Sequence, residues 1–156
     1  MKKAVIYFSY EGNTLEAAEK IAKETGADLI QIETVGKLPE DRNVMLKKGA
    51  FQAMSGAKPA IKDLPALDSY DELILGSPVW AGVIASPVYT FLKNCNCLDK
   101  ITAVFTLSGS GRNERCIKKL SKILPYLEHQ VSLFDRKSEG SNKNPELVAD
   151  FVLKIS

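Results

Sequence analysis

Three short segments, each placed directly after an apolar run, carry the side chains that could bind a ligand. They are the segment Ser9, Tyr10, Glu11, Gly12, Asn13, Thr14, the segment Ser77, Pro78, Val79, Trp80, Ala81, Gly82, and the segment Ser108, Gly109, Ser110, Gly111. Together they offer hydroxyl groups, one amide, accessible backbone and a single indole, but no cysteine, histidine or lysine. Such groups can bind an anion and a flat ring, and we assign no catalytic residue and no metal ligand among them.

The first segment, Ser9 to Thr14, stands where the apolar run from Ala4 to Phe8 gives way to a helical pattern beginning at Leu15. A helix N-terminus presents free backbone N–H groups and a partial positive charge, so it can hold a phosphate without a cationic side chain. Gly12 would let the backbone approach the anion closely. Because the lysine of nucleotide-hydrolysing loops is missing, the segment predicts phosphate binding without phosphoryl transfer. The same residue types also cap helices that bind nothing, and this alternative stays open.

The other two segments could hold a ring. Trp80, the only tryptophan, is expected in a surface turn between Pro78 and Gly82, where a large apolar side chain is unfavourable unless it covers something flat. A core tryptophan tucked under the loop is the alternative. The glycine-rich segment Ser108 to Gly111 offers backbone groups for the polar edge of a ring, although a plain turn has the same composition. Together the three segments predict a mononucleotide with a flat ring.

The order of elements predicts how these segments meet. Strands are expected at residues 3–8, 28–33, 71–76, 101–107 and 130–135. Helices are expected over residues 14–25, around 40–54 and along 116–127. Two more helices are expected to begin at the capping residues Ser86 and Asn144, each of which precedes a proline. Alternating strands and helices predict one α/β doubly wound domain over residues 1–156, with a five-stranded parallel sheet of order 2-1-3-4-5 and helices on both faces. Ligands bind such a sheet beyond the carboxyl ends of its strands, between strands 1 and 3.

Composition sets limits on the class of protein. The 156 residues are 45% hydrophobic, which suits one well-filled core. With 21 basic and 19 acidic residues, the net charge of +2 gives no argument for nucleic acid, although basic residues concentrate between Arg112 and Lys122. No apolar stretch approaches the roughly 20 residues of a membrane span, and reduced thiols are expected at Cys95, Cys97 and Cys116. A cytoplasmic protein is therefore expected, and the single histidine, His129, is placed at the start of a strand.

On these residues, the sequence resembles the flavodoxin family. The segment FSYEGNT, residues 8–14, is similar to the family's phosphate loop. The segment SPVWAG, residues 77–82, is similar to the loop whose tryptophan stacks on the flavin ring, and SGSGR, residues 108–112, is similar to the loop along the pyrimidine edge. The resemblance covers essentially the whole chain in element order. It implies a flavodoxin-like fold, non-covalent FMN, one- or two-electron transfer, and FMN contacts from all three segments.

The sequence departs from the family pattern in four respects. Electron-carrier flavodoxins are typically strongly acidic around the flavin, whereas this chain is near neutral, so docking to basic partners is not implied. Glu11 stands where a hydroxyl residue is common, and its carboxylate is expected to point away from phosphate. Ala81 precedes Gly82 where the family often has glycine directly after the tryptophan, yet a flip of the Ala81–Gly82 peptide is expected to remain possible. The third loop lacks the aromatic residue that covers the second flavin face in many carriers.

Two functions follow from the resemblance. The first is an electron-transfer protein that exchanges electrons between a reductase donor and an acceptor enzyme. The second is an NAD(P)H-dependent quinone or nitro reductase, in which an open flavin face admits nicotinamide or quinone, and Arg112 with the following basic helix meets dinucleotide phosphates or an acidic protein. A receiver domain would need clustered acids after strand 1, where only Glu11 is acidic. A low-molecular-weight phosphatase would need a cysteine and an arginine in that loop.

Overall fold

Six strands and five α-helices alternate along the chain in the computed structural model, which describes residues 1–156. In chain order they are β1 (Lys3–Tyr7), α1 (Asn13–Thr25), β2 (Asp28–Gln31), α2 (Arg42–Ser55), β3 (Glu72–Trp80), β4 (Val83–Ile84), α3 (Ser86–Asn94), β5 (Ile101–Ser108), α4 (Glu114–Ile123), β6 (His129–Phe134) and α5 (Asn144–Ile155). Two short 3₁₀ helices span Leu98–Lys100 and Glu139–Lys143. None of the helices combines the length and apolar character of a membrane-spanning helix.

The sheet has the predicted topology. Five parallel strands are ordered β2-β1-β3-β5-β6, and the short β4 pairs with β3 in the antiparallel direction. Without β4, this is the order 2-1-3-4-5, so the predicted doubly wound fold is confirmed. One buried apolar cluster lies between the sheet and α3 and α4, and another lies between the opposite face and α1 and α5. Burial on both faces explains why β1, β3 and β5 are almost continuously apolar.

The second segment differs from its prediction because β3 is longer than expected. It continues to Trp80, since Val79 and Trp80 pair with the two residues of β4. Most of the segment from Ser77 to Gly82 is therefore strand, and only Ala81 and Gly82 form a turn. A proline at position 78 is uncommon inside a paired strand, which is why the sequence favoured a loop there.

The helix starts agree with the predictions to within about two residues, but α4 ends at Ile123 and not at residue 127, because Pro125 cannot continue a helix. Two predicted caps also differ. α3 and α5 begin at Ser86 and Asn144, yet neither side chain caps its helix. The Ser86 hydroxyl donates to Oε1 of Gln52 at 2.7 Å. The Asn144 amide accepts from the Phe134 backbone N–H and donates to the Phe134 carbonyl oxygen, at 2.9 and 2.7 Å. Long-range partners therefore outcompete the local cap, whereas Gly26 ends α1 as predicted, with φ of 72°.

Candidate cofactor site

The loop between β1 and α1 is built around the hydroxyl of Ser9. Its Oγ accepts hydrogen bonds from the backbone N–H groups of Gly12 at 3.1 Å and Leu15 at 3.2 Å. Gly12, with φ of 93°, then turns the chain into α1. Ser9 thereby shapes the loop while its own proton stays free to donate.

The first residues of α1 leave donors unpaired. The backbone N–H groups of Asn13 and Thr14 have no acceptor within the chain. Thr14 is 2% exposed as a residue and borders a cavity, and its hydroxyl forms no hydrogen bond within the chain. Unpaired amides at a helix N-terminus, beside a free hydroxyl, form a donor set that can bind an anion.

A cavity of about 80 Å³ brings the first two segments together. The first segment contributes five residues and β3 contributes three, with further walls from α2, the end of β5 and the loop after β6: Ser9, Tyr10, Glu11, Asn13, Thr14, Pro78, Val79, Trp80, Arg42, Met45, Leu46, Leu107 and Asp135. Ligand pockets are commonly about 300–1,000 Å³, so this cavity suits a phosphate group and not a whole nucleotide. A neighbouring cavity of about 510 Å³ shares Tyr10, Glu11, Asn13, Arg42 and Asp135 with it.

The sequence predicted Trp80 in a surface turn, and this prediction is wrong, because Trp80 is the last residue of β3. Its indole packs on α2, where a Cβ added to Gly49 would lie 3.0 Å from Cδ2. The ring also meets Phe8 edge to face, with ring centroids 5.6 Å apart. Trp80 is thus half-buried beneath α2 and simultaneously borders the cavity, so the structure combines features of both sequence-based alternatives.

The turn after Trp80 is tightly defined. Both central residues of the β3–β4 hairpin, Ala81 and Gly82, have positive φ, 49° and 80°. This is the pattern of a type I′ turn. Flipping the peptide between them would convert the turn toward type II′, whose first position requires glycine, and that position is Ala81. The geometry therefore disfavours the Ala81–Gly82 flip that the sequence analysis kept open.

Ser77 does not reach the cavity. Its side chain is fully buried, and its hydroxyl accepts from the Ala85 N–H at 3.0 Å while donating to the Pro78 carbonyl at 2.8 Å. Both hydrogen-bonding functions of the hydroxyl are used to fix the hairpin. Ser77 is therefore placed as a structural residue of the second segment.

The third segment also lies outside the cavity. The hydroxyls of Ser108 and Ser110 both accept from the Arg112 N–H, at 3.2 and 3.3 Å. Gly111 packs on the Phe134 ring, where an added Cβ would come within 2.4 Å, and Gly109 and Ser110 are exposed. The loop's local hydrogen bonds and packing account for its composition, and its role at the edge of a ring stays a prediction.

The loop after β6 contributes a cation that sequence reasoning missed. The Arg136 side chain donates to the Glu11 carbonyl oxygen at 2.8 Å, and Nη1 lies 3.5 Å from Oε2 of Glu16. A Cβ on Gly12 would be 3.4 Å from Nη2 of Arg136, so the guanidinium lies against the β1–α1 loop. The carboxyl ends of all parallel strands meet at one edge of the sheet. Applying that rule to the fifth parallel strand would have brought Arg136 into the predicted site.

Two carboxylates at the site have different environments. The Glu11 carboxylate lies 2.5 Å from Nε of Arg42, the first residue of α2. Asp135 is partly buried, and its burial, together with the nearby Glu11 charge, raises the pKa of its carboxyl, while Arg42 opposes the shift. A neutral Asp135 would accommodate an anion in the shared cavity, whereas an ionised Asp135 would repel it.

A doubly wound parallel sheet with free donors at the end of β1 is the arrangement with which many α/β proteins bind a mononucleotide. The family model for flavodoxin matches residues 2–143, so the chain belongs to the flavodoxin family. None of the curated proteins compared with the chain matches it.

Solved structures include close relatives in fold. A flavoprotein from Lactobacillus acidophilus in complex with FMN is 25% identical, with a TM-score of 0.67 over 94% of this chain and 97% of that one. A Bacteroides eggerthii protein described as a flavoprotein is 24% identical, with a TM-score of 0.73 over 95% and 96%. A protein from Agrobacterium tumefaciens described as a WrbA-like flavodoxin is 20% identical, with a TM-score of 0.59 over 98% of this chain and 96% of that one.

Proposed function

We propose that this protein binds FMN non-covalently and carries electrons between redox partner proteins. Membership of the flavodoxin family and the likeness to an FMN-bound flavoprotein support FMN as the cofactor. The observation that carries the proposal is the Thr14 hydroxyl, which has no hydrogen-bond partner in the chain at the edge of the cavity, beside two unpaired amides at the start of α1. Donors that border a cavity at a helix N-terminus can bind an anion.

The phosphate of FMN fits this donor set. The N–H groups of Asn13 and Thr14 and the Thr14 hydroxyl would hold it, and the free amide nitrogen of Asn13 adds a donor. Arg136 lies against the loop at Gly12 and supplies a positive charge there. Bound FMN supplies one- and two-electron chemistry, while these residues bind and orient it.

The ring of FMN would lie next to Trp80, with the Ala81–Gly82 turn beside it. The cavity at Thr14 is too small for the ring, so the ring has to occupy the mouth of the cavity or displace the side chains that line it.

The free state of all three cysteines is compatible with the reducing cytoplasm predicted from the sequence. The proposal includes a donor protein that reduces the bound FMN and an acceptor protein that oxidises it.

A second candidate function is an FMN-dependent NAD(P)H quinone or nitro reductase. The observation that favours it is the third segment, which is exposed at Gly109 and Ser110 and contributes no aromatic side chain over a ring. Such an open face could admit a nicotinamide or a quinone. Steady-state oxidation of NAD(P)H with a quinone acceptor separates the candidates, because a carrier alone should show almost no turnover without a reductase.

Thr14→Val tests the cofactor site directly. Valine keeps the buried volume but removes the hydroxyl, so FMN affinity should fall about tenfold, a change of about 1.4 kcal/mol, whereas riboflavin affinity should not change. Quenching of flavin fluorescence during titration of the apoprotein measures both. Thr90→Val is the matched control, because that buried hydroxyl donates to the Pro59 carbonyl away from the site. Equal losses of FMN and riboflavin in Thr14→Val would refute the phosphate contact.

A further inference from the structure

Two stretches of the chain combine several basic residues with almost no acidic ones. The stretches 42–60 and 112–125 carry nine basic residues and one acidic residue, Glu114, while the rest of the chain has twelve basic and eighteen acidic residues. Most of the first stretch is α2, and most of the second is α4. The near-neutral total of the chain therefore conceals an excess of positive charge on these two helices.

The two helices border one groove. Its volume is about 390 Å³, and its walls come from α2, α3 and α4, with the two residues of β4 between them. Val83, Ile84, Tyr89 and Ile123 make it largely apolar, and Lys119 and Lys122 stand at its edge. We call this feature, bordered by α2 and α4, the α2–α4 groove.

The charges beside the α2–α4 groove are not neutralised within the fold. None of Lys47, Lys48, Lys118, Lys119 and Lys122 forms an ion pair, since the seven ion pairs of the structure involve other cations. Glu114, the one acidic residue of the two stretches, pairs with Arg112. The positive charges of these five lysines are therefore not offset by ion pairs within the chain.

The floor and walls of the α2–α4 groove are apolar between these lysines, with Val83 and Ile84 of β4 and Ile123 of α4 among the lining residues. An apolar centre with charges around it is typical of protein interfaces. A polynucleotide would meet the lysines through its phosphates but would leave these apolar groups without a partner. A second copy of the chain would bring like charges together.

The α2–α4 groove ends at the turn that is predicted to lie beside the flavin. β4 forms part of its wall and follows the Ala81–Gly82 turn directly. Arg115 of α4 reaches this turn, because a Cβ added to Gly82 would lie 3.3 Å from Cδ of Arg115. A partner bound in the groove would thus contact the turn itself.

From these features, we propose that the α2–α4 groove docks an acidic electron-transfer protein whose charged rim surrounds an apolar patch. This inference rests on the proposed function. Each reduced one-electron partner would be oxidised as it passes one electron to bound FMN. Two encounters, with one proton taken from solvent, would leave the cofactor reduced by two electrons. Attraction of opposite charges speeds such an encounter and weakens with added salt.

Stopped-flow reduction of the FMN-loaded protein by reduced plant-type [2Fe–2S] ferredoxin, an acidic protein, tests the proposal. The rate should fall as ionic strength rises from about 0.01 M to about 1 M, because the screening length shrinks from about 30 Å to about 3 Å. The variant Lys119→Glu with Lys122→Glu should lower the low-salt rate about tenfold, with little difference left at high salt. Lys23→Glu with Lys154→Glu makes the same change in net charge on α1 and α5 and should change the rate less than about twofold.

A binding measurement keeps the docking proposal separate from the cofactor proposal. Calorimetric titration of the apoprotein with oxidised ferredoxin should give weak saturable binding that is lost in the Lys119, Lys122 variant and retained in the Lys23, Lys154 variant. Failure of FMN to bind would refute the proposed function, whereas this titration would still test the groove. Absent binding, a rate that rises with salt, or equal losses in both variants would overturn the docking proposal. The docking proposal would also be overturned if the Lys119, Lys122 variant kept normal reduction by ferredoxin and lost only NAD(P)H use or binding of a DNA duplex.

Discussion

The backbone N–H of Arg136 donates a hydrogen bond to Oδ1 of Asn13 at 3.0 Å, which ties the loop after the last strand to the first residue of α1. The two residues are 123 positions apart in the chain. This contact places a guanidinium beside a loop that has no cationic side chain of its own. Arg136 therefore adds a positive charge next to the proposed anion site at the start of α1.

Arg136→Gln should weaken FMN binding and leave riboflavin binding unchanged. The substitution removes the positive charge next to the loop but retains a polar side chain, so the loss should be about tenfold for the phosphorylated ligand. Flavin fluorescence quenching gives both affinities. Lys137→Gln is the control in the same loop, because it removes the same charge from a side chain that forms no ion pair with the β1–α1 loop. Equal effects of the two substitutions would show that only overall charge matters.

Asp135→Asn should strengthen FMN binding near neutral pH. The pKa of Asp135 is raised by burial and by Glu11, so its carboxyl stays protonated above its usual range and becomes an anion as the pH rises through that raised pKa. The anion would then repel the FMN phosphate. The ratio of wild-type to Asp135→Asn dissociation constants should therefore grow as the pH rises from about 4 to about 7, and riboflavin should show no such trend.

The same substitution has a consequence for stability. A raised pKa means that the native state holds the proton more tightly than the unfolded state, so stability from Asp135 is present at low pH and is lost as the pH rises through the folded-state pKa. The apoprotein with Asp135→Asn should therefore gain in free energy of unfolding relative to wild type at pH 7. Urea unfolding at pH 4 and pH 7 measures the difference. A gain that is larger at the lower pH would contradict the assigned direction.

The sequence predicted the fold well because the dominant signal is burial. Continuous apolar runs in β1, β3 and β5 and the apolar faces of the helices are local patterns, and both faces of the sheet require them. Gly26 could be placed for the same reason, since a helix end depends on adjacent residues. Ser86 and Asn144 were placed at the correct helix starts, but their side chains form hydrogen bonds to residues far away in the sequence.

The candidate site was predicted only in part. Ser9 to Thr14 and Pro78 to Trp80 do converge on one cavity, as expected for loops after strands 1 and 3. Ser77 is buried away from this cavity, and its hydroxyl bonds only within the hairpin. The Ser108–Gly111 segment lies outside the cavity, so its contact with FMN stays a prediction. Residue type alone does not distinguish a binding loop from a structural turn. Arg136 and Arg42 entered the site through tertiary contacts that no local pattern encodes.

Ala81→Gly should stabilise the protein. Ala81 has φ of 49°, a conformation in which a Cβ costs about 1 kcal/mol or more, and glycine removes this cost. The greater freedom of glycine in the unfolded chain offsets part of the gain, so the net increase in the free energy of unfolding should be about 0.5–1 kcal/mol. Ala60→Gly, at an exposed position without positive φ, should lower stability by about 0.5–1 kcal/mol. Urea unfolding of both variants measures the two changes in the free energy of unfolding. A loss of stability in Ala81→Gly would show that the turn is not strained.

Cys95 should be the most reactive thiol of the chain. Its thiolate accepts a hydrogen bond from the thiol of Cys97, which lowers the pKa of Cys95 to about 7, while burial raises the pKa of Cys116 to about 12. Alkylation by iodoacetamide should therefore modify Cys95 first, and its rate should rise as the pH increases through about 7, because only the thiolate reacts. Mass spectrometry of digested protein identifies the modified cysteine. Cys97→Ala removes the donor and should move the rate profile to higher pH, whereas Cys97→Ser retains a donor and should move it less. A Cys95 profile that is the same in all three proteins would show that Cys97 does not stabilise the thiolate.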